Sequence, residues 1–473
     1  MGLLHESGLL SVIRSRRDTK LLLLLRFIRF FAFGGSTIVL ALYLHSLAIS
    51  DAQIGLFMSL ALLGDVISFA LVMVADRIGR RTVLGVGNCM IIFSGCLLAG
   101  SGNYWVIMVA GIVGIISPNG REIGPFSAIE ESILAQLTSK ELRSDIFAWY
   151  ALIGSAGAAL GKFVIGWVVQ RLLRLRWEET EAYRATFGIY AALGVLELAL
   201  VLCLSARVEL NSVRLDTASG MEWDALLDPE DDAETEAFLV PEDDEEREVS
   251  SNDLTEGSIE TKTKKKWLFL PGIKRESYCT VFKFCALFAV DSLASGLVPA
   301  SWVTYFFHTK FSVSPSGLGT IFSIGAVLSA ISAIPGASLA KRIGLVPTMV
   351  FTHLPSAIAL ALIPLSPSLS LSVFFLLLRF ALGSVDIAPK AAFLSAIFLP
   401  EERTAVLGLL NVVRTGSQSM GPVLTGTVSL LGKGWLPFVM AGGLKVAYDV
   451  ALFAMFHGYK TREDETRENE EES

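Results

Sequence analysis

Arg29, Arg121, Glu122, Asp291, Asp386 and Lys390 all lie inside long apolar stretches of a 473-residue chain. An ionisable group at membrane depth costs about 2.5–3.5 kcal/mol on insertion scales, so such groups pair with one another or face a cavity. A carboxylate held beside an arginine stays charged. Moved into apolar surroundings without that partner, it takes up a proton. Reversible proton binding is therefore the chemistry these residue types offer. Other chemistries lack their parts: the chain has no GxxxxGK[ST] phosphate loop, no metal-ligand cluster and no nucleophile elbow. The five cysteines fall in or beside apolar runs without the paired spacing of a disulfide or zinc framework. An enzyme, a cofactor and direct ATP-driven work are not expected.

The elements that must position these charges are helices in a bilayer. The chain is 52% hydrophobic and 18% charged, with mean hydropathy +0.57. Roughly 20 apolar residues cross about 30 Å of hydrocarbon as a helix. Runs of that kind cover Leu21 to Leu44, Ile54 to Ala75, Val83 to Ala99, Tyr104 to Ala128, Ile146 to Val169 and Ala185 to Leu204. Six more cover Tyr278 to Phe307, Leu318 to Ala340, Val346 to Leu365, Leu369 to Phe398, Ala405 to Leu431 and Phe438 to Phe456. The first run follows Arg14, Arg16, Arg17 and Lys20 and has no small-residue cleavage site, so it reads as a retained span.

The two groups of six repeat each other. An offset of 262 places Gly34 on Gly296, Tyr43 on Tyr305 and Arg29 on Asp291. Near 264, EIGP (122–125) falls on DIAP (386–389), and near 260 Gly161 and Gly166 fall on Gly421 and Gly426. Ordered matches with so small a drift imply a duplicated six-helix unit. Parallel repeats of this kind place a binding site near the midplane between the halves.

Between the second and third runs stands DRIGRR, with a shorter RIG echo at 342–344. The string resembles the loop signature of the major facilitator superfamily: Asp76, Arg77, Gly79, Arg80 and Arg81 match, and Val72 stands where that family prefers glycine. The resemblance implies an all-α membrane protein with twelve transmembrane helices in two pseudo-symmetric six-helix bundles. It implies a secondary transporter that moves a small organic solute by alternating access, with no nucleic-acid partner and a monomer as the working unit. It also implies a cytosolic gate in which Asp76 latches the halves and Arg80 meets Glu130 or Glu131 at the end of the fourth span. Spans one and seven face each other in that architecture, so an Arg29–Asp291 pair across the cavity is expected. Arg121, Glu122, Asp386 and Lys390 are the other candidates for solute or proton coupling, and a fixed structural pair is the plainer reading of each. Spans six and twelve are peripheral there, which makes Glu197 and Asp449 weaker candidates.

Short-loop Lys and Arg collect on the side of the N-terminus, which puts both termini in the cytosol by the positive-inside rule. The arginine-rich loop after the fifth span is an exception. Residues 206–276 carry a net charge of −11 and residues 460–473 a net −4, so the membrane part of this net −7 chain is basic, at about +8. The expected organisation is a cytosolic segment 1–20, bundles at 21–205 and 277–457, a disordered acidic linker at 206–276 and an acidic tail at 458–473. Proton-coupled export across the plasma membrane, more than the vacuolar one, is the first functional expectation. Uptake by symport or facilitation is the second, and a transport-like receptor or scaffold the third.

Overall fold

The computed structural model describes residues 9–120, 125–139, 142–209, 277–398 and 400–457. Side chains of residues 10, 65–74, 76, 77, 400, 401, 403 and 404 lie outside that description. Span one is Arg17–Ser46, span two Asp51–Ile78, span three Arg80–Gly100, span five Arg143–Arg174 and span six Glu179–Leu202. In the second half, span nine is Leu345–Leu362, span eleven Pro400–Leu430 and span twelve Leu436–Phe456. Four spans come in two pieces: span four (Tyr104–Val113 and Phe126–Leu137), span seven (Tyr278–Leu297 and Ala300–Phe311), span eight (Pro315–Ser332 and Gly336–Ile343) and span ten (Leu369–Leu382 and Ile387–Ile397).

Among the described residues, nine helices are long and apolar enough to cross a membrane. The other three spans fall short for local reasons. Span two has a described apolar stretch of only Asp51–Gly64, span four is broken, and span eleven carries Glu402 and Arg414 among its polar groups.

The repeat is visible in the backbone. Ser314, whose hydroxyl accepts from Gly317 N–H, caps span eight. Its counterpart 264 residues earlier, Ser50, caps span two, donating its N–H to Gln53 Oε1 in a capping box. Gly79 and Gly344, each between two helices and followed by the next one, have φ of +109° and +92°, a region that L side chains avoid. The RIG echo in the sequence is thus a duplicated turn.

The halves meet through two symmetry-related contacts. A Cβ on Gly55 of span two would sit 2.3 Å from the Pro422 carbonyl oxygen and 3.0 Å from the Gly426 Cα of span eleven. A Cβ on Gly166 of span five would sit 2.5 Å from the Pro315 carbonyl oxygen and 3.0 Å from the Gly319 Cα of span eight. Both contacts lie at the end of the bundle away from the N-terminus and the end of span twelve. Tyr305 donates to Asp51 Oδ1 across the same seam at 3.1 Å. Nearer the other end of span eleven, Gly408 and Gly416 have nothing within reach of a Cβ. The bundle is sealed at the far end and opens toward the terminal end.

Gly166→Val should therefore wedge the seal, because the clash is with backbone that cannot rotate away. Overpacking of this kind costs about 1–3 kcal/mol. The expected result is faster maleimide labelling of a cysteine at Ser301, which is fully buried between the halves, in a background lacking the native cysteines. Unchanged labelling would show that span eight yields without opening.

Candidate functional site

The breaks in spans four and ten interrupt helices at membrane depth: Pro125, the last residue of EIGP, precedes the second piece of span four, and Asp386, the first of DIAP, precedes the second piece of span ten. Pro118 and Gly120, the latter at φ +64°, keep residues 114–120 out of helix. A lipid-exposed break would strand carbonyl groups, so irregular backbone is tolerated only inside protein or on a cavity. Here the freed carbonyls find partners: Ile115 O accepts from Ser94 Oγ (3.1 Å) and Tyr190 Oη (2.6 Å), and Ser117 O from Thr37 Oγ1 (3.4 Å). Pro118 O accepts from Ser301 Oγ (2.7 Å) and Ser301 N–H (3.0 Å), and Asn119 Oδ1 from Ala300 N–H (3.2 Å). The unwound stretch of span four thus caps the start of the second piece of span seven. Two interrupted helices, one from each half, meet at mid-depth.

Around this meeting point each half carries its own buried ion cluster. In the N-terminal half, Arg29 Nη2 lies 2.6 Å from Glu130 Oε2 and Arg29 Nη1 3.7 Å from Glu197 Oε2, all three at most 1% exposed. Tyr150 donates to the same Glu130 oxygen at 2.6 Å and accepts from Arg26 at 3.0 Å. The Arg29 guanidinium stacks 4.1 Å from the Phe126 ring centre, a cation–π contact. In the C-terminal half, Lys445 Nζ lies 2.6 Å from Asp291 Oδ1 and 2.9 Å from Ser295 Oγ, and Lys390 Nζ 3.5 Å from Asp291 Oδ2. His353 Nδ1 lies 2.8 Å from Asp449 Oδ1.

The expected Arg29–Asp291 pair across the cavity is therefore corrected. Each half pairs its buried charges within itself, through spans one, four and six in the first and spans seven, ten and twelve in the second. The signs are reversed between the halves. At low dielectric the nearest counter-ion wins, and neighbours within a bundle are nearer than the facing half. Glu197 and Lys445 belong to these clusters because even a peripheral helix turns one face inward, and Asp449 is buried on span twelve for the same reason. The sequence reading ranked Glu197 and Asp449 as weaker candidates because spans six and twelve are peripheral. Arg121 and Glu122 lie outside the described residues. Asp386 sits at the start of the second piece of span ten, within Coulombic reach of Lys390.

The gate is also revised. Glu130 does not serve Arg80: the second piece of span four runs on to Leu137, which places Glu130 inside the bundle with Arg29. Arg80 instead donates from Nη1 to Gln136 Oε1 at 2.8 Å. Glu131 is exposed, with Arg26 within Coulombic reach. The side chains of Asp76 and Arg77 lie outside the described residues. Glu209, at the close of the first half, accepts from the Arg80 N–H (2.8 Å) and the Arg81 N–H (3.0 Å). A carboxylate there satisfies orphan donors and complements the positive end of span three. No motif in the sequence pointed to it. Glu209→Ala should cost about 0.5–2 kcal/mol, the usual worth of an N-cap, read as a lower Tm in detergent. Arg81→Ala should cost less, since the Arg81 side chain's described bond, to Leu202 O, is solvent-exposed. The reverse order would mean that Glu209 is not the cap.

Known proteins agree with this architecture. The profile of the Major Facilitator Superfamily matches residues 22–264 and 284–473. A Saccharomyces cerevisiae membrane protein, YJR124C, is 33% identical over 446 residues, which cover 93% of this chain and 94% of that one. The nucleoside transporter NupG superposes with a TM-score of 0.65 at 16% identity over 94% of this chain and 100% of that one. The D-xylose-proton symporter does so with a TM-score of 0.65 at 15% identity over 92% and 97%. The inward open xylose transporter XylE from E. coli gives 0.63 at 16% over 93% and 98%. With two repeated halves sealed at one end, and a profile that spans both, the chain belongs to the major facilitator superfamily and is a membrane transporter, not an enzyme.

Proposed function

We propose that the protein is a secondary active transporter of a small organic solute, driven by a proton gradient and working by alternating access between the halves. The observation that carries this reading is the seam at mid-depth, where the unwound span four caps span seven next to two buried ion clusters of opposite polarity. Interrupted helices supply polar backbone to a solute at membrane depth, and buried carboxylates held by cations supply a site whose proton can be traded for a change of partner. Sealed at the far end and open at the terminal end, the described conformation is one of the two that alternating access requires. With the termini in the cytosol, as the basic loops indicate, it is the inward-facing one.

The test compares metabolites in cells and medium with and without the gene, then measures flux of the responding compound in proteoliposomes with and without a pH gradient. A compound that accumulates inside on deletion marks export, the first expectation; one that is depleted marks uptake. Flux of that compound must depend on the protein and on the gradient. No compound responding, with the protein present at normal level, would remove the transport of metabolites as its role.

A further inference from the structure

The charge account of the C-terminal half does not balance. At mid-depth of spans seven, ten, eleven and twelve stand, among the described residues, the cations Arg379, Lys390, Arg414 and Lys445 and the carboxylates Asp291, Asp386 and Asp449. Asp449 is engaged by His353 and Asp291 is held closely by Lys445. Lys390 is left with a 3.5 Å contact to the already occupied Asp291 and is 19% exposed. Its ammonium lies 4.6 Å from the Phe288 ring centre and 5.4 Å from that of Tyr448. Those faces hold the group in place, and its described hydrogen bond is the long one to Asp291 Oδ2.

Arg414 lies halfway along span eleven, exposed, within Coulombic reach of Lys390 and without a described hydrogen bond or ion pair. Its direction follows from helical spacing. Arg414, Gln418 and Pro422 share one face, four residues apart. The Gln418 backbone packs on Gly296 of span seven and the Pro422 backbone on Gly55 of span two. Arg414 therefore lies on the face of span eleven that packs on span seven, about two turns from the point where Pro422 meets the other half. A cation at that depth is costly without a counter-ion.

We propose that Lys390 and Arg414 form a receiving station for an anionic group, a carboxylate or a phosphate, and that the transported solute is an organic anion. The station rests on the reading that the solute passes between the halves. In the N-terminal half Arg29 is buried and committed to Glu130 and Glu197, so it offers no such donors.

The test uses the full chain in detergent, with Tm measured against succinate, inorganic phosphate, glucose and uridine at constant ionic strength. Succinate or phosphate should raise Tm, by ligand linkage, and glucose and uridine should not; which anion acts separates carboxylate from phosphate. Lys390→Gln and Arg414→Gln should each weaken that binding about ten- to a hundredfold, the worth of one hydrogen bond to a charged group, while Lys390→Arg retains most of it. Stabilisation by glucose or uridine alone, equal anion binding by the Gln variants, or stabilisation only in nanodiscs of anionic lipid would each overturn the station. Flux of neutral solutes with no anion binding would sink the station and leave transport standing. Anion binding that needs Lys390, with no flux of any solute, would do the reverse.

Discussion

Arg29→Ala is expected to cost about 3–5 kcal/mol, the penalty for breaking a buried ion pair from one side. Glu130 and Glu197 are both fully buried and lie 2.6 and 3.7 Å from the guanidinium, so removing it strands two carboxylates and empties the face of Phe126. The measurement is Tm and the monodisperse fraction in detergent. Arg29→Ala with Glu130→Gln should recover much of the loss, since a neutral pair is better tolerated than a lone charge. Glu197→Gln alone should cost less than Glu130→Gln, as its contact is longer and Glu130 also takes the Tyr150 hydroxyl. A variant lacking Arg29 that is as stable as the parent would show that the cluster is not charged in the folded protein.

That cluster also shows what the sequence could and could not reveal. The duplicated architecture was legible because repeats leave matched punctuation: Gly79 and Gly344 in the same turn, Gly166 and Gly426 at the same seam. Charges at membrane depth were legible because they are costly. Their partners were not. Arg29 and Asp291 do occupy equivalent places, but a repeat offset gives position along a helix and not the direction a side chain takes from it. Glu130 was misplaced for a related reason. A single apolar run over Tyr104 to Ala128 puts it at the membrane surface, whereas a second helix that starts at Phe126 carries it inside. Glu209 was invisible because its cap spans 129 residues of sequence.

Asp291→Asn is expected to abolish accumulation driven by a pH gradient while exchange of solute, which needs no net proton movement, survives. Asp291 is the carboxylate through which span seven is tied to spans ten and twelve, by Lys390 and Lys445. A proton on it cancels the charge that holds both lysines, so its titration and the packing of three helices are one event. A gradient of one pH unit is worth about 1.4 kcal/mol per proton, so one-to-one coupling gives roughly a tenfold accumulation ratio per unit; the variant should show none. Because Asn leaves two lysines without a counter-ion, Asp291→Asn with Lys445→Gln serves as the folding control. It should recover stability and still ignore the gradient, and Asp291→Glu should restore part of the response. The measurement is solute flux in proteoliposomes at matched and unmatched pH. A tenfold response retained by Asp291→Asn would move the coupling site elsewhere, and Asp449 with His353, buried on the same side of the bundle, would be tested next.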